Sequence, residues 1–123
     1  MTTNFAAGIR AILCTPTAVP PVWACEQYPD MLPRLENEKT LGFGSRRYTC
    51  PTSPTYERLC ERVVTAMADH YRDREQVLAW QIDNEFWRIS FDEETQRCFQ
   101  ECLREQYKTL DALNAAWTTN YWS

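Results

Sequence analysis

Apolar positions follow two patterns along the chain, short continuous runs and four-residue repeats. Residues 8–15, "GIRAILCT", are a brief apolar run closed by Pro16, the pattern of a strand buried on both faces. "VLAWQI", residues 77–82, is a second such run. Between them Leu59, Val63, Met67 and Tyr71 recur every four residues with Ala66 on the same side, which predicts an amphipathic helix from Tyr56 to about Arg72. Ser53-Pro54 supplies an N-cap followed by proline at the first helical position. A strand, a crossover helix and another buried strand make the unit of a parallel sheet.

Downstream, "DEETQRCFQECLREQY" places Phe99, Cys102, Leu103 and Gln106 or Tyr107 along one side of a helix whose start is acidic, as the helix dipole prefers. "TLDALNAAW" predicts another short helix with Thr109 as its cap. All seven prolines lie between Pro16 and Pro54, in a loop that carries Trp23, Arg46, Arg47 and Cys50. A loop of that length inside a compact domain is uncommon unless it is functional. It has room for a short helix near "AVPPVWACEQY" and for a third extended segment. No repeat or linker divides the chain. Two or three parallel strands do not close an α/β domain, because both faces and both edges of the sheet need covering. The pattern is that of an interior slice of a larger fold.

Composition narrows the functional classes. The 123 residues are 44% hydrophobic and 24% charged, as in ordinary globular proteins. A net charge of -4 argues against a surface built to neutralise phosphates, so no nucleic-acid partner is expected. No apolar run reaches the roughly 20 residues of a membrane span, and "MTTNFAAGIRAIL" lacks the basic start and long apolar stretch of a secretory signal. The expected compartment is the cytoplasm, with no membrane partner. Cys14, Cys25, Cys50, Cys60, Cys98 and Cys102 are even in number, but their long spacings and that compartment favour free thiols over a disulfide set. Five Trp, six Tyr and five Phe supply core area and also flat faces on which sugar rings stack.

The second strand run ends in Asp83-Asn84-Glu85. Strand ends are where α/β enzymes place chemistry, since the strand fixes the backbone and the loop faces the crevice. The same tripeptide also suits a surface turn or a cap for the next helix. An Asn beside a Glu has a use in sugar hydrolysis: the amide donates to a ring hydroxyl while the acid protonates the glycosidic oxygen. Trp80 and Phe86 place apolar surface near that acid.

With these residues in view, the chain resembles the glycoside hydrolase family 42 β-galactosidases. The blocks are "GIRAILCTPTAVPPVW", "GFGSRRYTCPTSPTY", "VLAWQIDNEF" and "YKTLDALNAAWTTNYWS", in the family's order. The resemblance implies that residues 1–123 are an incomplete catalytic domain, part of a (β/α)8 TIM barrel, roughly its strands 2 to 4 with their loops and helices. It implies retaining hydrolysis of terminal β-D-galactosides in carbohydrate metabolism, with Glu85 as general acid/base and with Asn84 and Arg46 binding the sugar. An arginine at position 46 is equally suited to a loop-stabilising ion pair. The nucleophile implied by the family is a Glu on a much later strand, and no residue of this chain inherits that role. The partner is then a β-galactoside, in a parent enzyme of a family where homo-oligomers are common.

The resemblance also raises a metal. Family members often hold a structural zinc through one Cys before the third helix, matched by Cys50, and three more after the fourth strand. Ser90, Asp92 and Thr95 stand at those later positions. Zinc prefers three or four Cys or His ligands, so no metal and no cofactor are expected, with Cys50 a remnant. Cys98 and Cys102 lie one helical turn apart and are expected to be buried helix cysteines rather than substitutes. His70 sits near a helix end that suits its charge, and Trp23 is suited to stacking on sugar or to burial against the next helix. Two rival readings are an inactive truncated relic of such an enzyme and a small cysteine-rich binding module.

Overall fold

The structure, a computed structural model, describes residues 8–44, 47–85 and 89–119. Strand β1 (Ala11–Cys14) pairs in parallel with strand β2 (Val77–Gln81), in a register that sets Leu13 opposite Trp80 and Cys14 opposite Gln81. The crossover that parallel pairing demands contains helix α1 (Val22–Gln27), a 3-10 turn at Pro29–Met31 and helix α2 (Pro54–Tyr71). After β2 come helices α3 (Glu93–Tyr107) and α4 (Leu110–Trp117). The elements expected from periodicity therefore form. In place of a third strand, the long loop has an isolated antiparallel bridge between Arg34 and Thr40 among the described residues.

Caps explain why the helices start where they do. The Ser53 side chain accepts from the Tyr56 backbone N–H with Pro54 at N1, and Thr109 does the same for Ala112. Asp92 caps α3 by accepting from the Thr95 N–H at 2.9 Å. Each satisfies one of the donors that a helix start leaves without an intrahelical partner. Ser53→Ala is expected to lower stability by about 1 kcal/mol. Chemical denaturation of the wild-type and substituted chains measures it, with Ser53→Thr close to wild type.

The core lies away from the sheet. Ala24 and Cys25 of α1, Met31, Tyr48 and Tyr56 are buried together, with Tyr28, Leu32, Leu41, Leu59 and Cys60 packed around them. The proline-rich loop is thus the best-packed part of the molecule. Its backbone is tied down by Cys50 N–H to Met31 O at 2.8 Å and Leu41 N–H to Pro33 O at 2.9 Å, while Tyr48 Oη donates to Pro20 O at 2.7 Å.

Burial of the two strands on both faces is not what the structure shows. Ile12 is 62% exposed, Leu78 57% and Ile82 70%, because a two-stranded ribbon has no layer to cover either face. The same reason corrects the expectation for α3. None of its residues is buried, Cys98 is half-buried and Cys102 exposed. Its contact with α4 is a small aromatic cluster in which Trp117 Nε1 donates to Tyr107 Oη at 3.1 Å and the Phe99 and Trp117 rings lie 6.4 Å apart. Among the described residues no helix is long and apolar enough to cross a membrane.

All six cysteines are free thiols. Burial pushes the Cys25 thiol above its ordinary value, and burial does the same at Cys60. Since the thiolate is the reacting species, Cys14 and Cys102 are expected to alkylate first and Cys25 and Cys60 last. Peptide mapping after timed iodoacetamide treatment reads this order, and a mapped disulfide would contradict it.

Candidate active site at the end of strand β2

Strand β2 ends at Gln81, and the next residues turn sharply at the strand's C-terminal end. Asp83 and Glu85 both have positive φ, 56° and 51°, a region that side chains other than glycine enter at a cost of about 1–3 kcal/mol each. Arg47, at φ 59°, is a third such residue. Arg47 is hydrogen-bonded to the other two. Arg47 Nη1 meets Asp83 Oδ1 at 2.6 Å, and its Nε donates to the backbone carbonyl of Glu85 at 2.7 Å. Strain of this kind persists only where surrounding contacts over-determine the conformation.

Those contacts come from both sides of the crossover. The Asp83 N–H donates to Thr15 Oγ1 at 2.7 Å, just beyond β1. The Tyr56 hydroxyl, on α2, lies 2.9 Å from Thr17 O and 3.3 Å from Asp83 Oδ2, so its single proton faces two acceptors. Burial pushes the Tyr56 phenol well above its ordinary value and keeps it a donor. Arg47 and Asp83 are only 6% and 8% exposed, a buried ion pair at the root of the turn.

Above this root the two residues singled out by sequence are less enclosed. Glu85 is exposed, and its main-chain carbonyl is the part that Arg47 holds. Asn84 is half-buried, with its Oδ1 accepting from Gln81 Nε2 at 3.1 Å. The turn is no cap for α3, since Asp92 performs that task. Arg46 and Phe86 lie outside the described residues. The neighbouring Arg47 makes an ion pair with Asp83. Sequence reasoning missed Arg47 and the anchoring role of Asp83. The available signal was that an Asp entering a buried turn needs a cationic partner, and "GSRR" offers two.

Other candidates fall elsewhere. Trp23 is 53% exposed rather than buried, and it lines a cleft of about 560 Å³ between α1 and α2 together with Pro20, Leu59 and Val63. His70 is exposed near the end of α2, edge-on to Tyr71. Cys50 is buried on a different side of the loop, bonded to Thr52, Asp92 and Thr95. Among the described residues no three His, Cys, Asp or Glu side chains gather in a group able to hold a metal ion.

An exposed glutamate on a rigid turn at the C-terminal end of a parallel strand is the arrangement in which barrel enzymes place catalytic side chains. Comparison with known proteins gives the family. The family described as β-galactosidase, glycoside hydrolase 42, matches residues 1–123. The β-galactosidase BgaH of Haloferax lucentense is 41% identical over 120 residues, which are 94% of this chain and 18% of that protein. The β-galactosidase BgaA of Thermus sp. is 37% identical over 127 aligned positions, covering all of this chain and 20% of its own length. Among solved structures, the β-galactosidase from Bacillus circulans sp. alkalophilus superposes with a TM-score of 0.86 at 33% identity, over 96% of this chain and 18% of that one. The enzyme from psychrophilic Marinomonas ef1 gives 0.83 at 39%, over 96% and 19%. The chain therefore spans about a fifth of the length of the curated relatives it matches, and its fold is part of a (β/α)8 barrel. By whole-chain match, by sequence identity and by superposition, it belongs to glycoside hydrolase family 42, the β-galactosidase family.

Proposed function

We propose that residues 1–123 carry the acid/base half of the active site of a retaining β-galactosidase, as one part of a (β/α)8 catalytic domain. Glu85 protonates the departing glycosidic oxygen and then deprotonates the attacking water. Asn84 and Arg46 bind the galactose. The relatives are named β-galactosidases, and this supports a terminal β-galactoside as substrate. The observation that carries the reading is the placement of Glu85: exposed beyond β2, on a turn held by the buried Arg47–Asp83 pair.

Double displacement also needs a nucleophilic carboxylate roughly 5–5.5 Å from the acid/base. Asp83, two residues away, is held by Arg47 and faces Tyr56, so it serves the turn rather than the sugar. The nucleophile is a carboxylate outside residues 1–123, and those residues alone are inactive. No cofactor takes part in these steps.

Grafting residues 1–123 in place of the matching segment of the Thermus sp. enzyme tests the proposal. The chimera is expected to hydrolyse a nitrophenyl β-galactoside, and the purified 123-residue chain is not. A folded but inactive chimera would refute the acid/base assignment. Turnover by the isolated chain that disappears in Glu85→Gln would refute the missing nucleophile.

A further inference from the structure

The positions where the family resemblance calls for zinc ligands are brought together in space, but as a different chemistry. Cys50 Sγ lies 3.2 Å from Asp92 Oδ2 and 3.2 Å from Thr95 Oγ1. Ser90 Oγ donates to Asp92 Oδ2, and Thr95 Oγ1 donates to the same oxygen at 2.7 Å. The Thr95 N–H takes Asp92 Oδ1 at 2.9 Å. Four donors converge on the Asp92 carboxylate, three on Oδ2 and one on Oδ1, so its charge is already met by hydrogen bonds. Hydroxyls are poor ligands for zinc beside thiolate and imidazole, and the set contains one thiol. The residues do not fit the metal.

The cluster reaches further than its centre. Thr52 Oγ1 and Thr95 Oγ1 are 2.6 Å apart. Ser90 Oγ accepts from the Arg34 N–H at 2.9 Å, and the Phe91 N–H donates to Arg34 O at 2.8 Å. Cys50 and Ser90 are buried. Burial by itself would raise the Asp92 carboxyl, but the bonds from Ser90, the Thr95 backbone, the Thr95 hydroxyl and Cys50 outweigh it and hold it well below the usual carboxylate range. Three stretches distant in sequence, around Arg34, Cys50–Thr52 and Ser90–Thr95, meet at one ionised side chain.

We propose that Asp92 and its donors Ser90, Thr95 and Cys50 form a metal-free staple that does the work of a structural zinc in this chain, tying the chain after β2 and the start of α3 to the Cys50 and Arg34 segments. An ionised carboxylate ringed by donors is a strong and directional tie, since charge-assisted bonds are roughly twice as strong as neutral ones. It differs from a zinc centre in needing no metal and in being insensitive to chelators.

Zinc content and hydrogen exchange on the full-length protein that carries these residues test the staple. Expected are substoichiometric zinc after purification and a thermal midpoint unmoved by EDTA or by added zinc. Ser90→Ala and Thr52→Val should each speed exchange at the Arg34, Phe91 and Thr95 amides by about fivefold, the effect of one net hydrogen bond. Thr52 lies outside the α3 cap, so a simple helix cap at Asp92 would leave the Arg34 and Phe91 amides unmoved in Thr52→Val. One zinc per chain, whose removal lowers the midpoint, overturns the proposal. So does unchanged exchange at Arg34 and Phe91 in Thr52→Val of a zinc-free protein.

Discussion

Glu85→Gln in the Thermus chimera is expected to reduce kcat/KM toward a galactoside with an alkyl aglycone by about 10²–10⁴-fold, the usual contribution of a positioned general acid. The amide keeps the shape of the side chain and loses the proton. Because an activated leaving group departs without help, a nitrophenyl galactoside should suffer far less in the first step. The glycosyl-enzyme then accumulates for want of a base, and a burst of nitrophenol precedes slow turnover. Equal losses on both substrates, with no burst, would assign Glu85 to binding or folding instead. The backbone stays in place, since the turn's strained dihedrals are held through the Glu85 carbonyl and the Asp83 side chain, which the substitution leaves unchanged.

Arg47→Met is expected to destabilise the chain by about 3–5 kcal/mol, because it leaves the Asp83 carboxylate buried without its counter-charge. That is a large share of the roughly 5–15 kcal/mol that a domain commonly has. Asp83→Leu should cost a similar amount from the other side, and the double substitution should recover part of both losses, since no orphan charge remains. Arg47→Lys is no conservative change here. One ammonium cannot reproduce a fork in which Nη1 takes Asp83 and Nε takes the Glu85 carbonyl. Denaturant midpoints measure the stability changes. In the chimera, kcat should fall more than KM rises, since the position of the acid is what is lost. Single-variant losses below about 1 kcal/mol would mean that the pair does not anchor the turn.

The two rival readings separate on these measurements. An inactive relic keeps the turn and its stability effects but gives an inactive chimera. A cysteine-rich module needs cross-links or metal, whereas the six thiols are free and spread over the chain, with Cys14 on β1, Cys25 on α1, Cys50 in the long loop, Cys60 on α2 and Cys98 and Cys102 on α3.

Local features were legible because their physics is local. The Ser53-Pro54 start of α2, the Thr109 cap and the strand runs Ala11–Cys14 and Val77–Gln81 each depend on residues within a few positions of one another. The DNE tripeptide is likewise visible, and the ordered blocks around it carry the family. Other properties arise from residues far apart in the chain. Arg47 and Asp83 are separated by 36 positions and nothing in the linear order pairs them, while Cys50 and Asp92, 42 apart, are linked in sequence only through the zinc positions that the family resemblance implies. Only folding showed that Arg47 reaches the site, that the thiol positions have become a hydrogen-bonded knot, and that the proline-rich loop rather than the sheet forms the core. The sequence by itself determined the two strands, the main helices, the caps of α2 and α4 and the glutamate at the end of β2, since these follow from backbone geometry and short-range patterning. Tertiary structure decided what anchors that acid and which apolar faces stay uncovered, because burial and charge pairing depend on which distant segments share space.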